Sequence, residues 1–411
     1  MIDQPKARWG LVSTTGVLTG FGHGFAAFAV SALLKPLALD LDTGRGAVSI
    51  AIGLGRLIAG LASPIIGRVA DTRGPRGIVI AGMLASAAGL FALAFIRNEI
   101  QLYLIWSLVF SVGVAAGFTV ALDKLVVASM GSKRGIGLAV RFSISAVVST
   151  LIVPIVTAMI EYLGWRYTCM AWAGMLLLLI PAPYIFFRPG RIGIEFRTAA
   201  PEGGAAPSRP RSVLRQGAFW IIAVALMAQA SVTTGLTVHM VALMTDYGVD
   251  AVFAGTLFGG MILLTVPVRL LAAFVADKAK PAYLPVVLGA LLILEGLAIG
   301  SFAVAPGFGT MLVVITALGV AAGAPMVLVL ILCSELFGQQ GFATVQGNLM
   351  MIQVPGTMLA PILAGYVHDF TGTYVPVVAG FCVILILGGA SLGLLYRQME
   401  QKDRVYPGKE V

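Results

Sequence analysis

The sequence predicts an all-α membrane protein of twelve transmembrane helices, arranged as two pseudo-symmetric six-helix bundles. Three observations carry this. First, 59% of the 411 residues are hydrophobic and 11% are charged, more apolar side chain than a soluble core of this size can hide. Second, the apolar residues fall into twelve runs of about 20 residues or more, the length a helix needs to cross hydrocarbon. Third, short motifs recur at a spacing of 206 residues. The runs must be helices, because backbone groups in lipid have to be paired within their own segment. The ten-residue alternation of a membrane β-barrel is absent.

Each element follows from its run. The first, 9–33, is preceded by MIDQPKAR. It is longer than the core of a signal peptide and carries no A-x-A-like cleavage site, so it reads as a retained helix. Runs 46–70 and 76–96 flank the polar GRVADTRGPRG; runs 101–126 and 136–160 flank a short basic connection; run 165–187 opens on WRY. The segment 188–216 is rich in Pro, Gly, Ala and Arg, the composition of a flexible linker. Runs 217–243, 251–275, 283–304, 309–333, 342–367 and 373–396 complete the second set. The expected organisation is therefore a bundle over 1–187, a linker over 188–216, a bundle over 217–397 and a tail over 398–411.

The repeat supports this division. GVAAG stands at 113–117 and again at 319–323, and the Asp71 of GRVAD matches the Asp277 of FVAD, both at an offset of 206. PIVTAMIEYLGWRY, from Pro154, matches PILAGYVHDFTGTY, from Pro361, with a slip of one residue. The duplicated GVAAG falls in the fourth helix of each half, where small residues let helices pack closely. Parallel halves of this kind are a transporter architecture.

The net charge of +9 does not point to nucleic acid. With a cytoplasmic N-terminus, about 19 Lys and Arg fall on inner loops and tails and about 4 on outer ones, which is the positive-inside bias. Both termini are then cytoplasmic. Cys169, Cys333 and Cys382 lie in or at the ends of apolar runs, without metal or disulfide spacing; packing roles are expected. No metal cluster, nucleophile-elbow motif or phosphate-binding loop marks an enzyme or an ATP-driven pump. No cofactor is expected.

GRVADTRGPRG resembles the loop 2–3 signature of the major facilitator superfamily, with Gly67, Asp71, Gly74 and Arg76 at the matching places and Arg73 replacing a cation usually found one place earlier. HMVALMTDYGVDAVFAG, SELFGQQGFATVQG and GYVHDFTGTY resemble the branch holding monocarboxylate transporters and oxalate/formate antiporters. The resemblance implies alternating access. Helices 1, 4, 7 and 10 would line a cavity, helix 5 would face helix 8, and helix 2 would face helix 11.

Ionisable side chains within the runs are functional candidates, because a charge there costs several kcal/mol, roughly 2.5–3.5 on insertion scales. Arg269 lies eight residues before Asp277, about 12 Å along a helix. The resemblance gives an Arg at this place the substrate carboxylate, and a guanidinium grips a carboxylate through two parallel hydrogen bonds. Arg141, eight residues after Lys133, has two readings: a second substrate cation, or a gate residue paired with Asp123. Asp123 and Lys124 are read as gate partners of the loop 2–3 cations. Arg56 either reaches the outer surface or serves an outer gate, and Asp277 belongs with the duplicated loop. His23, His239, Thr265, Phe118, Ser145, Asn348 and Gln353 are candidate lining groups; each has the alternative of merely bridging helices. Proton-coupled relatives carry an Asp one turn before the helix 8 Arg and a Lys on helix 1. This chain has Thr265 at the first place and no Lys inside helix 1; Glu295 on helix 9 is the carboxylate well inside a span.

The expected function is secondary transport of small organic anions, mono- or dicarboxylates, by proton symport or anion exchange in a bacterial inner membrane, by a monomer. Export of larger drug-like or aromatic acids is the second transporter reading. A non-transporting membrane sensor is the reading of another class.

Overall fold

The structure, a computed structural model, describes residues 8–130, 133–187, 215–278, 283–337 and 342–405. Twelve helices are long and apolar enough to cross a membrane, and no strand occurs among the described residues. They are α1 (Trp9–Asp40), α2 (Arg45–Arg73), α3 (Pro75–Leu93), α4 (Glu99–Met130), α5 (Arg134–Leu163), α6 (Trp165–Phe186), α7 (Gly217–Asp246), α8 (Ala251–Lys278), α9 (Leu284–Val304), α10 (Phe308–Phe337), α11 (Phe342–Thr371) and α12 (Val375–Val405). The expected linker lies almost wholly outside the described residues.

Several helices outrun their apolar stretches. α1 continues to Asp40, α7 to Asp246, and α12 to Val405. Hydropathy falls where side chains become polar, but the backbone ladder continues until a group cannot be paired. Two helices are also irregular. α1 contains a π-helical turn at Phe25–Ala29, and α4 contains two, at Ile105–Phe110 and Ala115–Val120.

Contacts divide the chain into two units: Met1–Glu202 with Thr237–Ile262, and Gly203–Leu236 with Leu263–Val411. The distal parts of α7 and α8 thus belong to the first unit.

In the first unit α1 lies along α5. Gly16, Gly20 and Gly24 recur every fourth residue on one face of α1, and a Cβ at Gly16 or Gly20 would sit 2.8 Å from Ile144 Cβ or 2.5 Å from Val148 Cβ. Absence of side chains on this stripe is what brings the two helices together. The first GVAAG does the same for α3 and α4: a Cβ at Gly113 would meet Ser86 N at 2.6 Å, and one at Gly117 would meet Met83 N at 2.7 Å. Phe25, Phe110 and Trp172 fill the core beside them, with Phe25 stacked on Trp172 at 5.3 Å. At one end Arg166 of α6 donates to the carbonyls of Ala94 and Ile96 and pairs with Asp40 at 2.5 Å.

In the second unit α9 packs against α10 and α12. The second GVAAG has a different use. Its Gly323 turns α10 towards α8, where a Cβ would lie 2.9 Å from Thr265 O. Two residues later Pro325 removes a backbone donor, which frees the carbonyl four residues earlier. That carbonyl, Ala321 O, accepts instead from Gln229 Nε2 of α7 at 3.0 Å.

Candidate functional site

The polar centre of the first unit is built around Arg141 of α5. Its side chain is completely buried. One terminal nitrogen pairs with Asp123 Oδ1 of α4. The other donates to Thr19 Oγ1 of α1 at 2.7 Å and to Phe118 O at 3.3 Å. Thr19 Oγ1 itself donates to Phe118 O at 2.7 Å. Phe118 stands in the second π-helical turn of α4, and turns of this kind gather at functional sites. Of the two roles open to Arg141, the geometry is that of the pair with Asp123. The acid is 40% exposed while its partner is sealed, so the pair can be reached from the acid's side. Arg141 Nε is buried without a partner among the described residues.

The other candidates of this unit lie around the centre. His23, one turn beyond Thr19 on α1, is exposed, and Ser145, one turn beyond Arg141, is buried. The Phe118 ring is buried beneath Gly22 and packs rather than lines. Lys124 donates to Gly67 O of α2 at 2.6 Å, joining α4 to the loop 2–3 motif. Gly74 turns that loop with φ 81°, a conformation that favours glycine. Arg76 lies 4.1 Å from the Tyr184 ring centroid, and Arg73 is exposed. Arg56 is half-buried. The side chains of Asp71 and Asp277 lie outside the described set.

Arg269 of α8 belongs to the second unit. It is half-buried, and its Nε is buried without a hydrogen-bond partner among the described residues. Thr265, one turn earlier, is buried. On α11, Gln353 donates to Leu349 O of its own helix. Asn348 Nδ2 has no partner among the described residues, and neither has Gln346 Nε2, a residue sequence reasoning passed over. No group of three or more potential metal ligands occurs among the described residues.

A second polar cluster joins the far end of α7 to α1 and α2 within the first unit. Asp246 accepts from Lys35 at 3.0 Å and from both terminal nitrogens of Arg45, at 2.5 and 2.8 Å. Nearer the helix centres His239 Nε2 meets Ser49 Oγ at 3.2 Å, and Ser31 Oγ accepts from Val241 N at 2.9 Å. His239 is buried among these partners. The Asp246 cluster was not foreseen. Its signal was available: an acid closing the HMVALMTD run, and cations closing the first run and opening the second. The glycine stripe of α1, which sets Thr19 against Arg141, was also legible but unread.

The Major Facilitator Superfamily model matches residues 16–355, so the chain belongs to that superfamily and is a multi-pass membrane transporter by fold. Its curated relatives include monocarboxylate transporters. It is 26% identical to monocarboxylate transporter 13 of Rattus norvegicus over 370 residues, covering 89% of this chain and 82% of that one. It is 25% identical to monocarboxylate transporter 4 of Rattus norvegicus over 382 residues, covering 91% and 80%. Among solved structures, a bacterial homologue of the human lysosomal transporter Spinster, in an inward-facing and occupied conformation, matches with TM-score 0.75 and 15% identity, covering 97% and 98%. A point mutant of the nucleoside transporter NupG matches with TM-score 0.75 and 13% identity, covering 93% and 99%. These structures speak for the fold alone.

Proposed function

We propose that the protein carries small organic anions across a bacterial inner membrane by alternating access, with both termini cytoplasmic, and that its preferred passengers are monocarboxylates. The observation that carries this reading is Arg269, whose Nε is buried without a partner among the described residues. A guanidinium stays charged at any physiological pH, and a partly buried one favours an anion beside it. A carboxylate offers two oxygens to its fork of donors. Arg141 is already matched by Asp123, which leaves Arg269 as the member of the expected pair to meet a substrate and favours one carboxylate over two. The curated monocarboxylate relatives support the same class.

Uptake of radiolabelled pyruvate and succinate into liposomes containing the purified protein tests this. Pyruvate uptake above protein-free liposomes is expected, with succinate a weak competitor. Arg269→Ala should lower apparent affinity about 10- to 100-fold, since a charged hydrogen bond contributes roughly 1.5–3 kcal/mol. Arg269→Lys should recover part of the loss, because an ammonium keeps the charge but not the fork. Unchanged uptake by a folded Arg269→Ala protein refutes the assignment. An imposed pH gradient separates symport, in which it drives accumulation, from exchange, in which internal anion does.

A polar-end latch belongs to the same reading. Alternating access requires ends that close and open, and Asp246 with Lys35 and Arg45 has the chemistry of a reversible closure. With Arg45 and Asp246 11% and 21% exposed the pairs are only partly desolvated, so they are moderate in strength and still weakened by salt, and such a latch can release.

A further inference from the structure

The transport reading leaves one buried carboxyl group unused. Glu295 of α9 is 5% exposed, and neither carboxyl oxygen has a hydrogen-bond partner among the described residues. It stands on the inward stripe Leu288, Leu292, Glu295, Ile299. A structural acid in that position would be expected to find a donor, since an unpaired buried polar group is costly. Instead, Glu295 lines a cavity of about 450 Å³ between α9 and α10. The remaining wall is mostly apolar, with Leu291, Ala298, Ala317, Val320 and Pro325, and its one hydroxyl, that of Thr316, donates to Leu312 O of its own helix. Leu294, Leu312 and Val313 at its rim are 62%, 37% and 45% exposed. These rim residues sit within spans, so the mouth opens onto the hydrocarbon.

We propose that this cavity binds a lipophilic amine that enters from the bilayer and pairs its ammonium group with Glu295. The chemistry selects this class. An anionic ligand would find no cation among the lining residues. A neutral hydrocarbon would fill the space and leave both oxygens unpaired. An amine satisfies both oxygens through its N–H donors while its carbon body covers the apolar wall. Entering as the free base, it takes up the carboxyl proton, so no net charge has to cross the lipid. The volume admits a compact body of about ten carbons, within the usual range of ligand pockets.

The probe is 1-adamantylamine, with 1-adamantanol as its neutral isostere, added to the full-length protein in detergent. A ligand that binds the folded state raises the unfolding midpoint in a saturable way. The expected result is a rise of at least about 2 °C with the amine and none with the alcohol. The rise should vanish in Glu295→Gln, which removes the charge, and in Ala317→Phe, which fills the cavity. Should Glu295→Gln fail to fold, Ala317→Phe carries the test. An equal rise with the alcohol, persistence of the amine effect in either variant, or no rise in the unaltered protein overturns the proposal. Pyruvate uptake should survive Glu295→Gln, which keeps this test separate from that of Arg269.

Discussion

Arg141 and Arg269 are the same residue type at similar depths from helix ends, yet their surroundings differ. Both Nε atoms are buried without a partner among the described residues, while the terminal nitrogens of Arg141 are held by Asp123, Thr19 and a backbone carbonyl. Removing one member of a buried ion pair strands the other charge and typically costs about 3–5 kcal/mol. Asp123 is partly exposed, so the lower end applies. Asp123→Asn should destabilise by about 3 kcal/mol, read as a fall of several degrees in the thermal midpoint in detergent. Combining it with Arg141→Gln should return part of that loss. A double variant as unstable as the sum of the singles would mean the two residues act separately. At this scale the sequence was half legible. Residue type and depth singled out both arginines, but the choice between substrate and Asp123 for Arg141 depended on how α4 and α5 meet, which no spacing of 18 residues along the chain declares.

Helix contacts turn on the small residues. Gly20→Leu places a branched side chain where Val148 already sits, so it should abolish folded yield measured by size-exclusion chromatography. Gly20→Ala should cost about 1–3 kcal/mol by overpacking. Gly10→Ala on the same helix meets nothing within 4 Å and should be neutral or slightly stabilising, a control that isolates contact from propensity. The twelve spans were readable because lipid imposes a minimum apolar length on every run. The π-helical turns were not. Such a turn is one extra residue closed by tertiary contacts, here those of Thr19 and Arg141 on the Phe118 carbonyl, and leaves no apolar signature. Deleting one residue between 115 and 120 would restore a regular helix and rotate Asp123 about 100° away from Arg141. The duplicated GVAAG pointed rightly to close packing, but not to its partners. One copy serves α3 and the other α8, because each copy meets whatever surface its own unit offers.

Across the whole molecule, Asp246 fastens α7 to α1 and α2, with His239 and Ser49 beneath it. Ser49 is fully buried, so Ser49→Cys reports opening of that end. In the Ser49→Cys background, Asp246→Asn should speed modification by a membrane-impermeant thiol reagent about 5- to 10-fold, a latch of roughly 1 kcal/mol. High salt should have the same effect without the substitution. An unchanged rate would show that the ion pairs do not hold this end. The division of contacts also bears on how the chain is made. The polypeptide passes between the two units three times, at 202/203, 236/237 and 262/263. Neither unit is a continuous stretch, so during synthesis the first cannot be complete when its sixth helix has entered the membrane. A chain ending at the linker would lack the contacts that 237–262 contribute to the first unit.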